Sequence, residues 1–448
     1  MGKLLFGVGT SDHQCEAFDP RWPDCVDNWE QDPNNAAVPR CNATDFWIRY
    51  EEDVKLAASL GCKLFRFSIS WARVEPAKDH FDPANLKHYA DLVAEIKRCG
   101  MEPVVTLLHG AWPLWVEADD GLYGDDFPDE FAGYVQAVAD RIGKKVKYWI
   151  TINEPDMLPF CYLKLPWAPR FSRAPGLRSG NLFTELDAVA GLCRNLFLAN
   201  KLAYQILHKK NDRAQVSANP YILGVPRWWQ RLTTRGMLRE RHAHPGHGAA
   251  VRYPRLHAAR HRLRARWEQL LGTWWVLNGY WWQMGMLGRL NHDLCPPGCE
   301  GKLDFVSFDY YWGVSGRRNF RKLPALVNGR YEDGPVHPDG LYDLLAFHAK
   351  LFPEKPIWLG ENGCVERADG LDRPAYLEKH LEQVRKAVDE GIPVEAYICW
   401  SITTNREWGL PARPGTDFGL YTVNLGDPDL KREESKAAIA YRGLINKW

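Results

Sequence analysis

Eight short apolar runs recur along the chain, and each gives way to polar residues at its C-terminal end. They start at Leu4, Lys63, Glu102, Lys147, Ala214, Lys302, Lys355 and Val394. Stretches with helical periodicity separate most of them: Thr44 to Leu60, Pro83 to Cys99, Phe127 to Ile142, Leu182 to Lys210, Gly340 to Leu351 and Arg373 to Glu390. A last one, Lys431 to Ile445, closes the chain. Runs built from Val, Ile, Leu and aromatic residues without polar alternation read as strands covered on both faces. Strands alternating with helices form parallel sheets through right-handed crossovers. The pattern predicts an α/β fold: a single (β/α)8 TIM barrel over residues 1–448, with long βα loops around a mouth where the polar residues collect. A chain of 448 residues could hold two or three average domains, but one barrel with insertions also fills it.

Two of the strand ends carry glutamate. Lys147 to Pro155 reads K-Y-W-I-T-I-N-E-P. Pro155 has no N–H for a ladder bond and pushes Glu154 out of the right-handed helical region, so the strand stops there. Taken alone, Glu154 is as readily a helix cap or an arginine partner as a catalytic group. Lys355 to Gly363, K-P-I-W-L-G-E-N-G, repeats the arrangement with Glu361 before Asn-Gly turn chemistry. Two strand-terminal carboxylates far apart in sequence are what glycoside hydrolysis needs: one protonates the leaving oxygen, the other attacks the anomeric carbon or activates water.

On these two motifs the chain resembles the family 1 glycoside hydrolases, the retaining β-glucosidases and β-galactosidases. Their acid/base lies in N-E-P and their nucleophile in (T)-E-N-G. The resemblance implies Glu154 as acid/base and Glu361 as nucleophile, with carboxyl groups about 5–5.5 Å apart. It implies that Asn153 bonds the sugar 2-hydroxyl. S-D-H-Q-C-E, Ser11 to Glu16, matches the family's opening motif and implies that the Gln14 amide holds sugar hydroxyls. Arg66 lies mid-strand in R-F-S-I-S-W-A-R-V-E-P, and a buried arginine must be paired. The resemblance aims it at Glu361, to hold that carboxylate ionised. It makes His109, in H-G-A-W-P-L-W, a sugar-hydroxyl ligand, and Tyr311, in D-F-V-S-F-D-Y-Y, a partner of the nucleophile. In W-S-I-T-T-N-R-E-W it gives Trp400 the stacking floor, and Glu407 and Trp408 the hydroxyls on the far side of the sugar.

Three positions depart from that pattern. Gly360 replaces the usual Thr, Arg406 replaces Phe, and Asp309 stands where the family has Asn. An added carboxylate there either raises the proton affinity of Glu154 or Glu361 or pairs with an arginine. Phospho-sugar relatives carry a Ser and a Lys shortly after the matching glutamate; Gly409 to Tyr421 has neither, which favours a neutral sugar. The resemblance fades between about Val225 and Glu300. There the chain carries eleven Arg and five His against the single acid Glu240, between Arg227 and Arg266. We expect an Arg-rich insert at about 225–270 that lines the leaving-group subsite. Basic residues beside the neighbouring Trp-rich run also suit a membrane surface or glycolipid, through the 225–290 segment. Trp22 to Asn42 reads as a surface loop over the mouth.

A net charge of +1 argues against nucleic acid as a partner. The eleven Cys include no C-x-x-C, and the N-terminus runs into a strand without a secretion signal, so a cytoplasmic location is expected. No His or Cys at metal spacing accompanies His109; no metal and no cofactor are expected. The function expected is a retaining exo-β-glycosidase acting on a small-molecule β-glycoside. The alternatives are a transglycosidase or glycolipid-acting enzyme of the same family, and a non-catalytic sugar-binding barrel.

Overall fold

The computed structural model describes residues 4–35, 37–159, 186–225, 228, 230, 279–290 and 292–448. Its main sheet holds β1 (Leu5–Gly9), β2 (Leu64–Ser68), β3 (Glu102–Leu108), β4 (Tyr148–Asn153), β5 (Gln215–Asn219), β6 (Val306–Asp309), β7 (Ile357–Asn362) and β8 (Val394–Trp400). Consecutive strands pair in parallel from β1 to β5 and from β6 to β8, and β8 returns to β1. The seam between β5 and β6 is joined by Asp304 N to Val216 O at 2.8 Å, Asp309 N to Pro220 O at 2.9 Å and Ile222 N to Asp309 O at 3.0 Å. These bonds complete the ring, and the expected (β/α)8 barrel is the observed fold. The described part of the Arg-rich insert is residues 225, 228 and 230, so most of that expectation lies outside the described residues.

Layering inside the barrel positions the site. Leu64, Val104, Ile150, Phe305, Trp358, Ala396 and Ile398 form an apolar plug. Side chains two residues apart on a strand share a face. One step up from Leu64, Val104 and Phe305 come Arg66, Thr106 and Ser307, so a polar layer sits directly on the plug. On β4 and β7 simple alternation would turn Asn153 and Glu361 away from it. The ladders slip there: β4–β5 shifts register between Ile150 and Asn153, and β6–β7 shifts between Phe308 and Asp309. Such irregularities re-aim side chains, and both residues reach the interior, where Arg66 bonds each of them.

The outer helices include α1 (Phe46–Ser59), α2 (Pro83–Arg98), α3 (Phe127–Ile142), α4 (Leu186–Lys210), α5 (Pro338–Leu351), α6 (Arg373–Asp389) and α7 (Lys436–Asn446). In α3 the face Phe127, Phe131, Tyr134, Val135, Val138 and Ile142 is buried. Each such apolar side chain stabilises the packed state by about 1.5–3 kcal/mol. Helix α2 starts at Pro83 behind Asp82, whose carboxylate accepts from Ala84 N and Asn85 N.

Three sequence expectations are corrected. Helix α1, expected from Thr44, starts after Asp45, which has φ 53°, and the Thr44 hydroxyl donates instead to Cys15 O at 3.2 Å. The closing helix starts at Lys436, because Arg432–Glu434 pairs antiparallel with Tyr421–Val423 and the Ser435 hydroxyl caps α7. The segment from Trp22 to Asn42 is more than a surface loop. It contains the helix Cys25–Gln31, and its Asp24, Asp27, Glu30 and Arg40 are buried around His13.

Candidate active site

The polar layer converges on Glu361 at the end of β7. Its Oε1 accepts from Arg66 Nη1 at 2.6 Å, and its Oε2 accepts from Tyr311 Oη at 2.5 Å. Arg66 is held from three further directions: Nε donates to Thr106 Oγ1 at 3.0 Å, Nη1 to Gly360 O at 3.1 Å and Nη2 to Asn153 Oδ1 at 2.6 Å. A buried guanidinium with this many acceptors is fixed in orientation, and a charge-assisted bond of this length is strong.

Glu154 follows β4 and sits half-buried at the mouth. Its backbone is left-handed at φ 45°, and its N–H donates to Asn219 O at 2.8 Å. A non-glycine residue in that region stores strain of order 1–3 kcal/mol, held in place by its surroundings. Glu154, Asp309 and Glu361 each have a carboxyl oxygen within 4.8 Å of one from each of the others.

Electrostatics separate the two glutamates. Burial raises both above the ordinary carboxylate range. For Glu361 the Arg66 charge and the Tyr311, Arg66 and Asn153 hydrogen bonds oppose that rise. For Glu154 the neighbouring charges of Glu361, Asp156 and Glu407 add to it, and its proton is held well above the usual range. Two carboxyls whose surroundings pull their proton affinities apart are suited to opposite roles, one donating a proton and one attacking as an anion. Arg66 therefore offsets, without outweighing, the burial of Glu361.

The remaining residues expected from sequence gather around this pair. Asn153 Nδ2 donates to His109 Nε2 at 3.3 Å. Burial, then the Arg66 charge, push the His109 imidazole well below its usual range, so it is neutral. Its ring stacks with Trp400 at 5.5 Å and with Trp408 at 6.2 Å. Gln14 Nε2 donates to Glu407 Oε1 at 3.0 Å, which Asn405 Nδ2 also reaches. Glu407 is pushed up to about 7 by burial. Asp309 is fully buried; its Oδ1 accepts from Asn219 Nδ2 at 2.6 Å, while Oδ2 has no partner among the described residues. It pairs with no arginine among the described residues. Arg406 is partly exposed beside this group, its N–H bonded to Gln14 O at 2.9 Å.

Sequence reading missed Asn219. This residue ends β5, bridges Asn153 Oδ1 (2.8 Å) and Asp309, and accepts from Ser307 Oγ at 2.5 Å. The signal was an asparagine before Pro220 at a strand end, the same punctuation that marks Asn153-Glu154-Pro155. Asn219 also accounts for Gly360: a Cβ at 360 would lie 2.0 Å from Asn219 Oδ1. Gly363 has a different cause, since a Cβ there would meet Trp400 O at 2.0 Å.

Two groups among the described residues are close enough to share a cation: Glu154 with Asp309 and Glu361, and His13 with Asp27 and Glu30. In each an arginine already supplies the positive charge, Arg66 to Glu361 and Arg40 to Asp27, both at 2.6 Å. No described helix is long and apolar enough to cross a membrane.

The family model described as Glycosyl hydrolase family 1 matches residues 2–222 and 326–448. Among curated proteins, the chain is 28% identical to beta-glucosidase 16 of Arabidopsis thaliana, over 99% of this chain and 90% of that one. It is 28% identical to furostanol glycoside 26-O-beta-glucosidase of Hellenia speciosa, over 96% and 80%. Among solved structures, it resembles beta-glucosidase from Thermotoga maritima in complex with deoxynojirimycin, with TM-score 0.74 and 20% identity over 99% and 97% of the chains. The AHE enzyme from Alicyclobacillus herbarius gives TM-score 0.74 and 23% identity over 99% and 98%. These structural likenesses support the barrel. The family match breaks off between 222 and 326, which takes in the Arg-rich stretch and β6.

Proposed function

The chain belongs to glycosyl hydrolase family 1, and from that premise we propose that it is a retaining exo-β-glycosidase acting on a glucoside or related neutral sugar. In this reading Glu361 attacks the anomeric carbon while Glu154, protonated, gives its proton to the leaving oxygen. A covalent glycosyl ester forms, and the aglycone departs as an alcohol. Glu154, now a carboxylate, takes a proton from water, and the water oxygen displaces Glu361. Net configuration is kept. The single observation that carries the proposal is the approach of the two carboxyls to within 4.8 Å, with the cation on Glu361 alone. Inverting enzymes need roughly 6.5–9.5 Å, to leave room for a water.

Assigned roles follow the partners. Arg66 and Tyr311 hold the nucleophile. Asn153, His109, Gln14, Glu407 and Trp408 present hydrogen-bonding groups to sugar hydroxyls, with Trp400 as the floor. The names of the relatives, beta-glucosidases, support a glucoside. A reducing compartment belongs to the same proposal and is supported by ten free cysteines among the described residues. Contact with a membrane or glycolipid through 225–290 stays a proposal resting on the basic and Trp-rich sequence alone.

The test is hydrolysis of a panel of aryl β-glycosides, with the first-formed anomer read by NMR. The reading expects the β-anomer first and a silent Glu361→Ala. An α-anomer first, or an active Glu361→Ala, overturns it. Sugar affinity without turnover on any β-glycoside would instead favour a sugar-binding barrel, and transfer to alcohol acceptors a transglycosidase.

A further inference from the structure

We propose that Asp309 is a third proton-holding carboxyl of this centre, coupled to Glu154 so that Glu154 keeps its proton to higher pH. It rests on the assignment of Glu154 as the acid/base, and it makes Asp309 a positioning residue for the proton, acting through Glu154.

The geometry begins with Asn219. Its Oδ1 accepts from Ser307, and its Nδ2 donates to Asn153 and Asp309. That arrangement fixes the amide's orientation, so the Asp309 oxygen facing it must accept. Oδ2 is left as the oxygen that carries a proton, buried and unpartnered among the described residues. A protonated carboxyl copies an amide here: one acceptor toward Asn219, one donor on the other side. This is how an aspartate occupies a position where the resemblance leads one to expect Asn.

Charge counting points the same way. The groups that act on Asp309 are Glu361 from β7, Arg66 from β2 and Glu154 following β4, with Tyr311 following β6 beside it; Asp156 and Glu407 act on Glu154 in turn. Among the described residues Arg66 is the one cation acting on Asp309, and it is committed to Glu361 at 2.6 Å. A second anion beside Glu361 has no cationic partner among the described residues, so Glu154 and Asp309 both carry protons in the resting site. Burial, with the Glu361 charge next, holds Asp309 well above the ordinary range, as it does Glu154. As pH rises, one proton leaves the pair first. When it leaves Asp309, the new charge within 4.8 Å of Glu154 opposes loss of the second. The site then stays in its reactive form, with Glu361 ionised and Glu154 protonated, over a further pH interval. An amide at 309 cannot supply that charge.

The test compares the pH profile of kcat/KM for the unaltered enzyme and Asp309→Asn. The alkaline limb should fall by about one pH unit, so that activity above it drops about tenfold, while the acid limb stays in place. An unmoved alkaline limb overturns the proposal. A second arm needs no turnover: infrared titration of the protonated-carboxyl band in unaltered protein, Asp309→Asn and Glu154→Gln. Replacing either residue should lower the midpoint of the other, and independent midpoints overturn the coupling. If no β-glycoside is hydrolysed, the functional reading fails while this arm still decides the coupling. If Asp309→Asn does not fold, Glu154→Gln decides it.

Discussion

The Arg66 guanidinium, rooted in β2, lies 2.6 Å from the Glu361 carboxylate at the far side of the ring on β7, and no other described cation contacts that carboxylate. The pair spans the barrel interior, and Arg66 is also what Asn153 is built against. A lysine in its place keeps a charge but loses the planar fork. Arg66→Lys should lower kcat/KM by about 10–100-fold, as charge-assisted bonds are lost. It should also move the acid limb of the profile upward, because a weaker cation lets Glu361 hold its proton to higher pH. A pH–rate series checks both.

Tyr311→Phe removes the second bond to Glu361 and leaves Arg66 in place. The expected loss is about tenfold in kcat/KM, with a smaller upward shift of the acid limb than in Arg66→Lys. Steady-state kinetics of the two variants, run together, test that order.

Glu154→Gln keeps the shape of the acid/base and removes its proton. The loss should depend on the leaving group: about 10²–10⁴-fold for a poor alkyl leaving group and far less for an activated aryl one. Plotting rate against leaving-group pKa should give a steeper slope for the variant. Equal slopes would take the acid role from Glu154.

Gly360→Thr restores the residue the resemblance leads one to expect, in a place where a Cβ would lie 2.0 Å from Asn219 Oδ1. Overpacking of this kind costs about 1–3 kcal/mol. Thermal unfolding should show the loss, and pairing it with Asn219→Ala should recover part of it.

Asp156, buried behind Glu154 and accepting from Tyr221 N at 2.8 Å, is pushed up to about 8 by burial. Its folded-state value exceeds the unfolded one, so its contribution to stability is complete below about pH 4 and disappears as pH rises through about 8. Asp156→Asn keeps the acceptor and removes the buried charge. Its Tm relative to the unaltered protein should rise steadily between pH 4 and pH 9. A difference independent of pH would show that the carboxyl does not titrate in this window.

The chain's local periodicities determined a good deal. Strand and helix spacing announced eight βα units, because the side-chain period of each element is set by its own backbone. The punctuation at Asn153-Glu154-Pro155 and Glu361-Asn362-Gly363 marked where strands end and where polar groups reach the mouth. The resemblance carried by those motifs supplied Gln14, Arg66, His109, Tyr311, Trp400, Glu407 and Trp408, and the structure gathers all of them around Glu154 and Glu361. The loop at Trp22 to Asn42 was misread because its buried acids are compensated not only by Arg40 within the segment but also by His13, a partner outside it.

Tertiary structure alone decided which way the decisive side chains face. Strict alternation along β4 and β7 points Asn153 and Glu361 away from the polar layer, and only slipped pairing with β5 and β6 turns them in. The same closure brings Asn219 against Gly360 and Asp309, giving reasons for two residues that looked like departures. Periodicity is a property of neighbours along the chain. Register, ring closure and the proton affinity of a buried carboxyl depend on residues hundreds of positions away, and no local pattern contains them.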